Sequence, residues 1–470
     1  MPASRRDDKY SSVVGAIFLF NLIVGTGALA LPCALQNAGW VVGVALLLIL
    51  GLFSYITVTF IVESLAVANA VSRKRYGESS NTTEEVRQRL IQNPDPDAGE
   101  SYVYDITEKY ELGQMAVLLS PKWCQIIIYG SLCLYLFGDL SIYAVVFGRT
   151  WANVLCNTES SNKTGVAVQN APCWQDSNIT EINVYRLSIL AFVILLGPFV
   201  FFNLQKTKIL QIFTGVMRWV AFFIMIVWCI VKLSREGRKG YPVIAEISAL
   251  PTLFGTLVYS FMTQHSIPGL VYPIRHKNHI RFILPIDFTV ITIFYLLLAL
   301  TAIFTYPKLN EVYTLTFWDE SEGPEIHLFQ KILAYYLALY PVFTIGTNFP
   351  LLAITLRNNF RAMILRDAQP KWYFDQFLFP LIVLLLPILL ALAVSDLHLL
   401  VGIIGSYCGT CVQYLIPCIL VTFARQHARS IDIQNKFSSP FKSKFWIYAV
   451  YVWMILSLIF ITINLAKLLV

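Results

Sequence analysis

Residues 41–62 have the sequence VVGVALLLILGLFSYITVTFIV, an apolar run that contains no charged side chain. An α-helix rises about 1.5 Å per residue, so a run of roughly 20 residues crosses the hydrocarbon core of a bilayer. Inside a bilayer the backbone polar groups must bond to one another, and an apolar run of this length satisfies them only as a helix. The stretch therefore predicts a transmembrane helix.

The rest of the chain repeats this pattern. Of its 470 residues 57% are hydrophobic and 13% are charged, and the mean hydropathy is +0.63. A soluble domain carries about a quarter charged residues, so this composition excludes a soluble class. We predict an all-α polytopic membrane protein of about eleven transmembrane helices. These are named spans 1 to 11 and are placed at residues 13–36, 40–64, 123–150, 184–203, 209–232, 250–273, 282–305, 329–356, 376–395, 399–423 and 444–467.

The distribution of positive charge predicts the orientation. An odd number of spans puts the two termini on opposite sides, and most of the 35 Lys and Arg residues then share the side of the N-terminus. Cytosolic segments are enriched in these residues, so residues 1–12 and 71–122 are predicted to be cytosolic. The segment with Lys232, Arg235, Arg238 and Lys239 runs against the trend. The net charge of +7 thus reflects topology and predicts no nucleic-acid partner.

The segment 151–183 is predicted to lie on the opposite, luminal or extracellular side. It contains the glycosylation sequons at Asn162 and Asn178, which we predict to be modified. It also contains Cys156 and Cys173, which an oxidising compartment would allow to form a disulfide. The alternative is two free thiols in a disordered loop. The orientation fits the plasma membrane or an endolysosomal membrane, and the sequence does not choose between them.

Span 1 contains a predicted break. Residues 21–32 have the sequence NLIVGTGALALP, in which two glycines flank a threonine and a proline follows. An unwound turn at this depth would free carbonyl groups for a cation and the amides of Gly25, Thr26 and Gly27 for a carboxylate. The alternative is close helix packing through small residues.

Span 6 is interrupted in a similar way. A cluster of polar residues precedes Pro268-Gly269, and its members include Tyr259, Ser260, Thr263, Gln264, His265 and Ser266. We predict that Thr263, Gln264, His265 and Ser266 complete a substrate pocket, although His265 could equally be a structural, hydrogen-bonded residue. Breaks in spans 1 and 6 are typical of an inverted five-helix repeat with its site at the midplane. The repeats would cover residues 13–232 and 250–423, with 444–467 as an extra helix.

Spans 3 and 8 carry further polar side chains. Span 8 has a polar stripe on one helical face, formed by Tyr336, Tyr340, Thr344 and Asn348, with Thr347 beside it. In span 3, Asp139 lies inside an apolar run. A carboxylate in a membrane is costly unless it is neutral, paired or hydrated, so we predict a role in carrying a proton or pairing with charge. The alternative is a structural hydrogen bond to a neighbouring helix.

The run FNLIVGTG at residues 20–27 and the run GIIGS at residues 402–406, continuing to LIP at 415–417, resemble the amino acid/auxin permease superfamily. That superfamily includes sodium-coupled neutral amino acid transporters. The resemblance implies the leucine-transporter architecture, with two inverted five-helix repeats, one further helix, and alternating access around broken helices 1 and 6. In sodium-coupled relatives an Asn before the Ile-Val-Gly turn and a Thr on helix 8 serve the ion. Asn21 matches the Asn, while Thr347 and Asn348 both lie near the second position.

The leading hypothesis from the sequence is a secondary active transporter of an amino acid or similar small zwitterion. Its coupling ion would be Na⁺ or H⁺, with Asn21, Thr344, Thr347 and Asn348 as candidate ion ligands, and no other cofactor or metal is predicted. No nucleotide loop, nucleophile elbow or zinc motif suggests an enzyme. The rival hypothesis is a membrane nutrient sensor that binds ligand and signals through residues 71–122. Protein partners beyond the lipid membrane are not predicted.

Overall fold

A computed structural model shows a helical chain and describes residues 10–79, 103–156, 172–174, 178–201, 208–320, 328–365, 373–431 and 433–469. Eight of its helices are long and apolar enough to cross a membrane, and a ninth candidate is a bent pair of helices. Two shorter apolar helices lie at the positions of spans 6 and 9. Every predicted span therefore corresponds to a helix or a helix pair, which confirms the polytopic all-α class.

The helices extend further than the apolar runs alone indicate. The unbroken spans are Trp40–Ser79 (span 2), Lys122–Leu155 (3), Glu181–Phe201 (4), Lys208–Glu236 (5), Ile280–Thr305 (7), Leu328–Leu365 (8), Phe379–Ala393 (9) and Lys444–Leu469 (11). Span 10 begins as Leu397–Ile403, widens into π-helical turns at Ile404–Gly409 and Cys411–Leu415, and ends as Ile416–Arg429. Sequence hydropathy marks only the part of a helix inside the hydrocarbon, so polar extensions are missed.

Span 1 is divided where the sequence predicts a break. The half-helices Ser12–Ile23 and Gly27–Ala38 meet at an angle of 51°. Span 6 is likewise divided into Leu250–Ser260 and Ile267–Val271. The two broken spans cross closely, since a Cβ atom on Gly27 would lie 2.7 Å from Cα of Ser260. The glycine is what permits this crossing, which brings the two interruptions together.

The described part of residues 71–122 packs against the bundle at its predicted cytosolic end. Between residues 105 and 119 only Leu112–Leu119 is helical, and it packs against spans 2, 3 and 10. Ahead of it, the Asn69 side chain accepts from the amides of Thr107 and Glu108 at 3.0 and 2.9 Å. These bonds hold the segment before the helix against span 2.

At the opposite end, Cys156 and Cys173 lie at disulfide-bonding distance, with Cα atoms 4.6 Å apart, as predicted. Asn178 is exposed, so its sequon is accessible. Asn162 lies outside the described residues.

Candidate functional site

A cavity of about 290 Å³ lies at the two helix breaks. Its wall is formed by spans 1, 3, 5, 6 and 8, and it extends to Lys109 and Glu111 at the predicted cytosolic end. Both of these side chains are partly exposed. The polar residues of the wall include Asn21, Thr26, Asp139, Tyr143, Arg218, Tyr259, His265, Ser266 and Asn348.

The break in span 1 leaves backbone amides at the cavity. The amide of Gly25 turns back to the carbonyl of Ile23 at 2.8 Å, which ends the first half-helix. Among the described residues neither Thr26 nor Gly27 has a hydrogen-bond acceptor for its amide. Both amides stand at the N-terminus of the second half-helix, where the helix dipole favours an anion. Gly25, Thr26 and Gly27, which the sequence suggested as a carboxylate site, all line the cavity.

A chain of hydrogen bonds links spans 1, 6 and 3. The Tyr259 hydroxyl lies 2.9 Å from Oγ1 of Thr26 and donates to Oδ1 of Asp139. Asp139 is 5% exposed, and the same carboxyl forms part of the cavity wall. Asp139, which stands out in the sequence as a charge inside an apolar run, is thus joined to both broken helices through Tyr259.

Tyr295 of span 7 ties the two breaks together from behind. Its hydroxyl lies 3.0 Å from the carbonyl of Ile23 and 2.9 Å from that of Ser260, the last residues of the two first half-helices. A hydroxyl has one proton, so it serves one carbonyl at a time while lying within reach of both. A fully buried tyrosine therefore holds the ends of both half-helices at one point.

Arg218 of span 5 occupies the carbonyl side of the span 1 break. Its guanidinium donates to the carbonyl of Asn21, and the Asn21 side chain accepts from Nε1 of Trp219 at 3.0 Å. Because the helix ends at Ile23, the Asn21 carbonyl has lost its usual partner four residues later. The guanidinium of Arg218, which is 5% exposed, supplies the missing donor. Asn21, which was predicted to bind an ion, thus accepts from a fixed cation.

Span 8 contributes one of its three predicted ion ligands to the cavity. Asn348 lines the wall, where its side chain lies beside the Tyr143 hydroxyl. The hydroxyl of Thr344 donates to the Tyr340 carbonyl at 3.1 Å, and that of Thr347 donates to the Thr344 carbonyl at 2.9 Å. These two threonines bond to their own helix and are not among the lining residues.

The predicted site residues of span 6 lie in two different places. His265 and Ser266 line the cavity. Gln264 instead reaches span 2, where its amide nitrogen donates to the hydroxyls of Ser54 and Thr57 at 3.2 and 3.1 Å. Thr263 is fully buried beside it and is likewise absent from the wall. The Gln264 side chain therefore anchors the break instead of facing a ligand there.

The opposite end of the bundle is closed by an ion pair. Nη1 of Arg149 in span 3 lies 2.5 Å from Oε2 of Glu311, in the segment between spans 7 and 8. The same arginine donates to the Ser395 carbonyl at 2.6 Å, and Glu311 accepts from the Leu397 amide at 3.2 Å. Burial raises the pKa of Glu311 to about 7, while Arg149 acts to lower it. The pair joins three parts of the chain at this end.

Sequence reasoning missed several of these groups. Arg218 is visible as a charge inside a span, but its partner is a carbonyl about 200 residues away and leaves no sequence signal. Tyr295 looks like any tyrosine of an apolar helix. Tyr259 was noticed as one of a polar cluster, yet nothing in the sequence points it at Asp139.

A family profile and several relatives match nearly the whole chain. The profile of the family described as "Transmembrane amino acid transporter protein" matches residues 8–463. The chain is 39% identical to transmembrane protein 104 of Gallus gallus over 485 residues, and the match covers 97% of this chain and 96% of the relative. It is 38% identical to transmembrane protein 104 of Homo sapiens, with the same coverage, and 37% identical to the Drosophila melanogaster homolog, with 97% of each chain covered.

Proposed function

The chain belongs to the transmembrane amino acid transporter family, and from that premise we propose that it carries a small amino acid across a membrane by alternating access, coupled to protons. The observation that supports this most is the hydrogen-bonded chain Thr26–Tyr259–Asp139 in the wall of the cavity. A carboxyl group that is linked to both broken helices can pass a change in its protonation to the elements that move.

The substrate end of the proposal rests on the span 1 amides. The amides of Thr26 and Gly27, at a helix N-terminus, suit the α-carboxylate of an amino acid. A volume of about 290 Å³ is at the lower end of the ~300–1,000 Å³ typical of small-molecule sites, which favours a small substrate. His265 and Ser266 also line the cavity and are the proposed contacts for the rest of the molecule.

Proton coupling is preferred to sodium coupling because of Arg218. A sodium ion needs several oxygen ligands that face it, and the Asn21 carbonyl already accepts from a guanidinium. The hydroxyls of Thr344 and Thr347 are used within their own helix. With a fixed positive charge beside the break, a second cation would be repelled. Asp139 is then the group proposed to take up and release the coupling proton.

Uptake into proteoliposomes tests both parts of the proposal. We expect a pH gradient to drive uptake of labelled small amino acids, and replacement of Na⁺ by choline to leave it unchanged. One proton moving down one pH unit supplies about 1.4 kcal/mol, enough for roughly tenfold accumulation. Asp139→Asn should abolish the response to the gradient. Asp287→Asn is the matched control, since Asp287 is another buried acid of a span but does not line the cavity.

Three results would count against the proposal. Uptake that needs Na⁺ in the wild-type protein would replace protons by sodium. A gradient response that survives Asp139→Asn would remove this residue from coupling. Label that binds to the purified protein without entering vesicles under either ion gradient would make the protein a sensor instead of a transporter.

A further inference from the structure

A second cavity, of about 620 Å³, lies at the predicted cytosolic end of the bundle. It is formed by span 2, the start of span 7 and the segment that joins spans 10 and 11. It shares no lining residue with the cavity at the helix breaks. The proposed transport cycle gives it no role.

The lining of this second cavity carries a surplus of positive charge. Four basic side chains line it, Lys277, Arg281, Lys436 and Lys442, and no Asp or Glu is among the described lining residues. Lys436 is paired at 2.6 Å with Asp105, which lies outside the lining. Lys277 donates to the Ile274 carbonyl at 3.0 Å. Arg281 and Lys442 have no acidic partner among the described residues and leave a surplus of two positive charges. Such a surplus is stable at a surface when an anion is close by.

The segment between spans 10 and 11 is held in place independently of any ligand. The hydroxyl of Ser439 lies 2.7 Å from Oγ1 of Thr59 in span 2. The backbone amide of Ser439 donates at 3.1 Å to the carboxylate of Glu63, which is itself paired with Arg425. The basic wall is therefore preformed on the side of span 2.

A buried hydrogen-bond donor in the wall lacks an acceptor. Asn435 lines the cavity and is 8% exposed. Its Oδ1 accepts from the Phe437 amide at 2.8 Å, but its Nδ2 is buried and has no partner among the described residues. An unpaired buried amide group is costly, and a native protein normally supplies an acceptor for it. An oxygen of a bound anion would be such an acceptor.

The remaining wall of the cavity is apolar. Val62 and Leu284, from spans 2 and 7, are both 4% exposed, and the ring of Tyr55 lies 5.8 Å from that of Phe441. An enrichment of Lys and Arg is general at cytosolic membrane ends. That enrichment does not explain a cavity with an apolar wall, a cationic rim and an unmet buried donor. A ligand with an anionic head and an apolar body would match all three.

We propose that this cavity binds the phosphorylated headgroup of an anionic phospholipid, with the phosphate oxygens on Arg281, Lys442 and the Asn435 amide. Basic pockets between helices on the cytosolic side of a membrane suit such headgroups. A surplus of two positive charges exceeds the single charge of a diester headgroup. A headgroup with additional phosphate monoesters, as in a phosphoinositide, is therefore the better fit.

Binding in nanodiscs tests the proposal. The full-length protein in phosphatidylcholine nanodiscs is titrated with a short-chain bisphosphorylated phosphoinositide, with phosphatidylserine and with soluble inositol trisphosphate. We expect the phosphoinositide to bind most tightly. Each cation near a lipid surface contributes about fivefold in affinity, so Arg281→Gln combined with Lys442→Gln should raise the Kd about 25-fold. Lys122→Gln is the matched control, an exposed cation at the same end outside the cavity.

Each alternative outcome is distinguishable. An unchanged Kd in the double variant would overturn the site, provided that its thermal stability in neutral lipid equals that of the wild type. An equal loss in Lys122→Gln would indicate unspecific attraction to the surface. Inositol trisphosphate that binds as tightly as the lipid would mean that the ligand is a soluble phosphate. A double variant that is unstable is replaced by Asn435→Leu, which removes the unpaired amide and should weaken phosphoinositide binding without changing charge.

Discussion

Gly27 lies at the point where the second half-helix of span 1 crosses the first half-helix of span 6. A Cβ atom there would lie 2.7 Å from Cα and 2.8 Å from Oγ of Ser260, so backbone atoms would have to move. At Gly25, two residues earlier, the nearest atom to an added Cβ is the Leu22 carbonyl oxygen at 3.8 Å. The crossing therefore has room for a side chain at Gly25 but not at Gly27.

Gly27→Ala is expected to destabilise the protein, because overpacking of this kind costs about 1–3 kcal/mol. Gly25→Ala is the matched control and should leave the melting temperature of the purified protein nearly unchanged. Thermal unfolding in detergent, followed by intrinsic fluorescence, measures both. Equal melting temperatures for the two variants would show that the crossing of spans 1 and 6 is looser than these distances indicate.

Sequence patterns predicted the positions of individual breaks better than the directions of individual side chains. Glycine and proline mark where a helix weakens, and this property is local. Whether Gln264 faces a ligand or the hydroxyls of Ser54 and Thr57 depends on how spans 2 and 6 pack. The same holds for Thr347, whose hydroxyl had an acceptor in its own helix that competes with any ion.

At the scale of elements, the broken span 1 is held by its neighbours. Its first half-helix ends at Ile23, and the carbonyls near that end bond to Arg218 of span 5 and Tyr295 of span 7. A helix C-terminus carries a partial negative charge, so a guanidinium there is favourable. The approximate position of each span and the breaks in spans 1 and 6 could be predicted from the sequence, although the polar ends of the helices could not. The pairing of spans could not, since each of these bonds joins residues far apart in the chain.

Arg218→Ala is expected to lower flux at least tenfold, because it removes the donor to the Asn21 carbonyl and leaves a buried acceptor unpaired, at a cost of about 1–3 kcal/mol. Arg218→Lys should retain most of the flux, since it keeps the positive charge. If the guanidinium stands in for a bound ion, Na⁺ should partly restore the flux of Arg218→Ala while leaving the wild type unaffected. Arg186→Ala, at an exposed position of span 4, is the control and should behave as wild type.

A purely structural role for Arg218 gives a different pattern. In that case Arg218→Lys would fail with Arg218→Ala, and Na⁺ would restore neither. Comparison of the three variants at equal amounts of reconstituted protein, with and without Na⁺, separates the two roles.

At the scale of the whole molecule, the bundle differs between its two ends. The cavity at the breaks extends toward Lys109 and Glu111 at the predicted cytosolic end. At the other end, Arg149 and Glu311 join span 3 to the segments that follow spans 7 and 9. The proposed alternating access would require this end to open during the cycle, and the ion pair would then break. Its strength therefore sets how readily the protein opens on that side.

The charge on Glu311 depends on pH near neutrality. Burial raises its pKa to about 7; Arg149 acts to lower the pKa and the nearby Asp396 to raise it. Above pH 7 the carboxylate is ionised and pairs with Arg149. As the pH falls through 7 on that side, Glu311 becomes protonated and the ion pair is lost. Burial holds this pKa above that of an exposed glutamate, so the closed end binds the proton more tightly than an open, hydrated end does. Acidification should therefore favour the closed end, and Glu311→Gln should resemble the acidified protein at every pH.

Cys33 offers a native reporter for this opening. Its thiol is 6% exposed and lies 3.4 Å from the Leu309 carbonyl, beneath the segment that carries Glu311. In a variant whose other free cysteines are replaced by alanine, a thiol reagent added from that side labels Cys33 only when the end opens. Dividing the labelling rate of Glu311→Gln by that of the protein with Glu311 intact removes the pH dependence of the thiol itself.

That ratio is expected to be below one at pH 8 and to rise about tenfold by pH 6. Opening releases about one proton at pH 6 and almost none at pH 8, and one released proton changes the opening equilibrium about tenfold per pH unit, which amounts to about tenfold over this range. Glu236→Gln, which removes an exposed acid at the same end, should give a ratio of one throughout. A ratio for Glu311→Gln that stays the same from pH 8 to pH 6 would mean that Glu311 does not change its protonation in this range. A ratio of one at both pH values would mean that the ion pair does not limit opening, and closure of this end would then depend on the packing of spans 1, 7 and 8 alone.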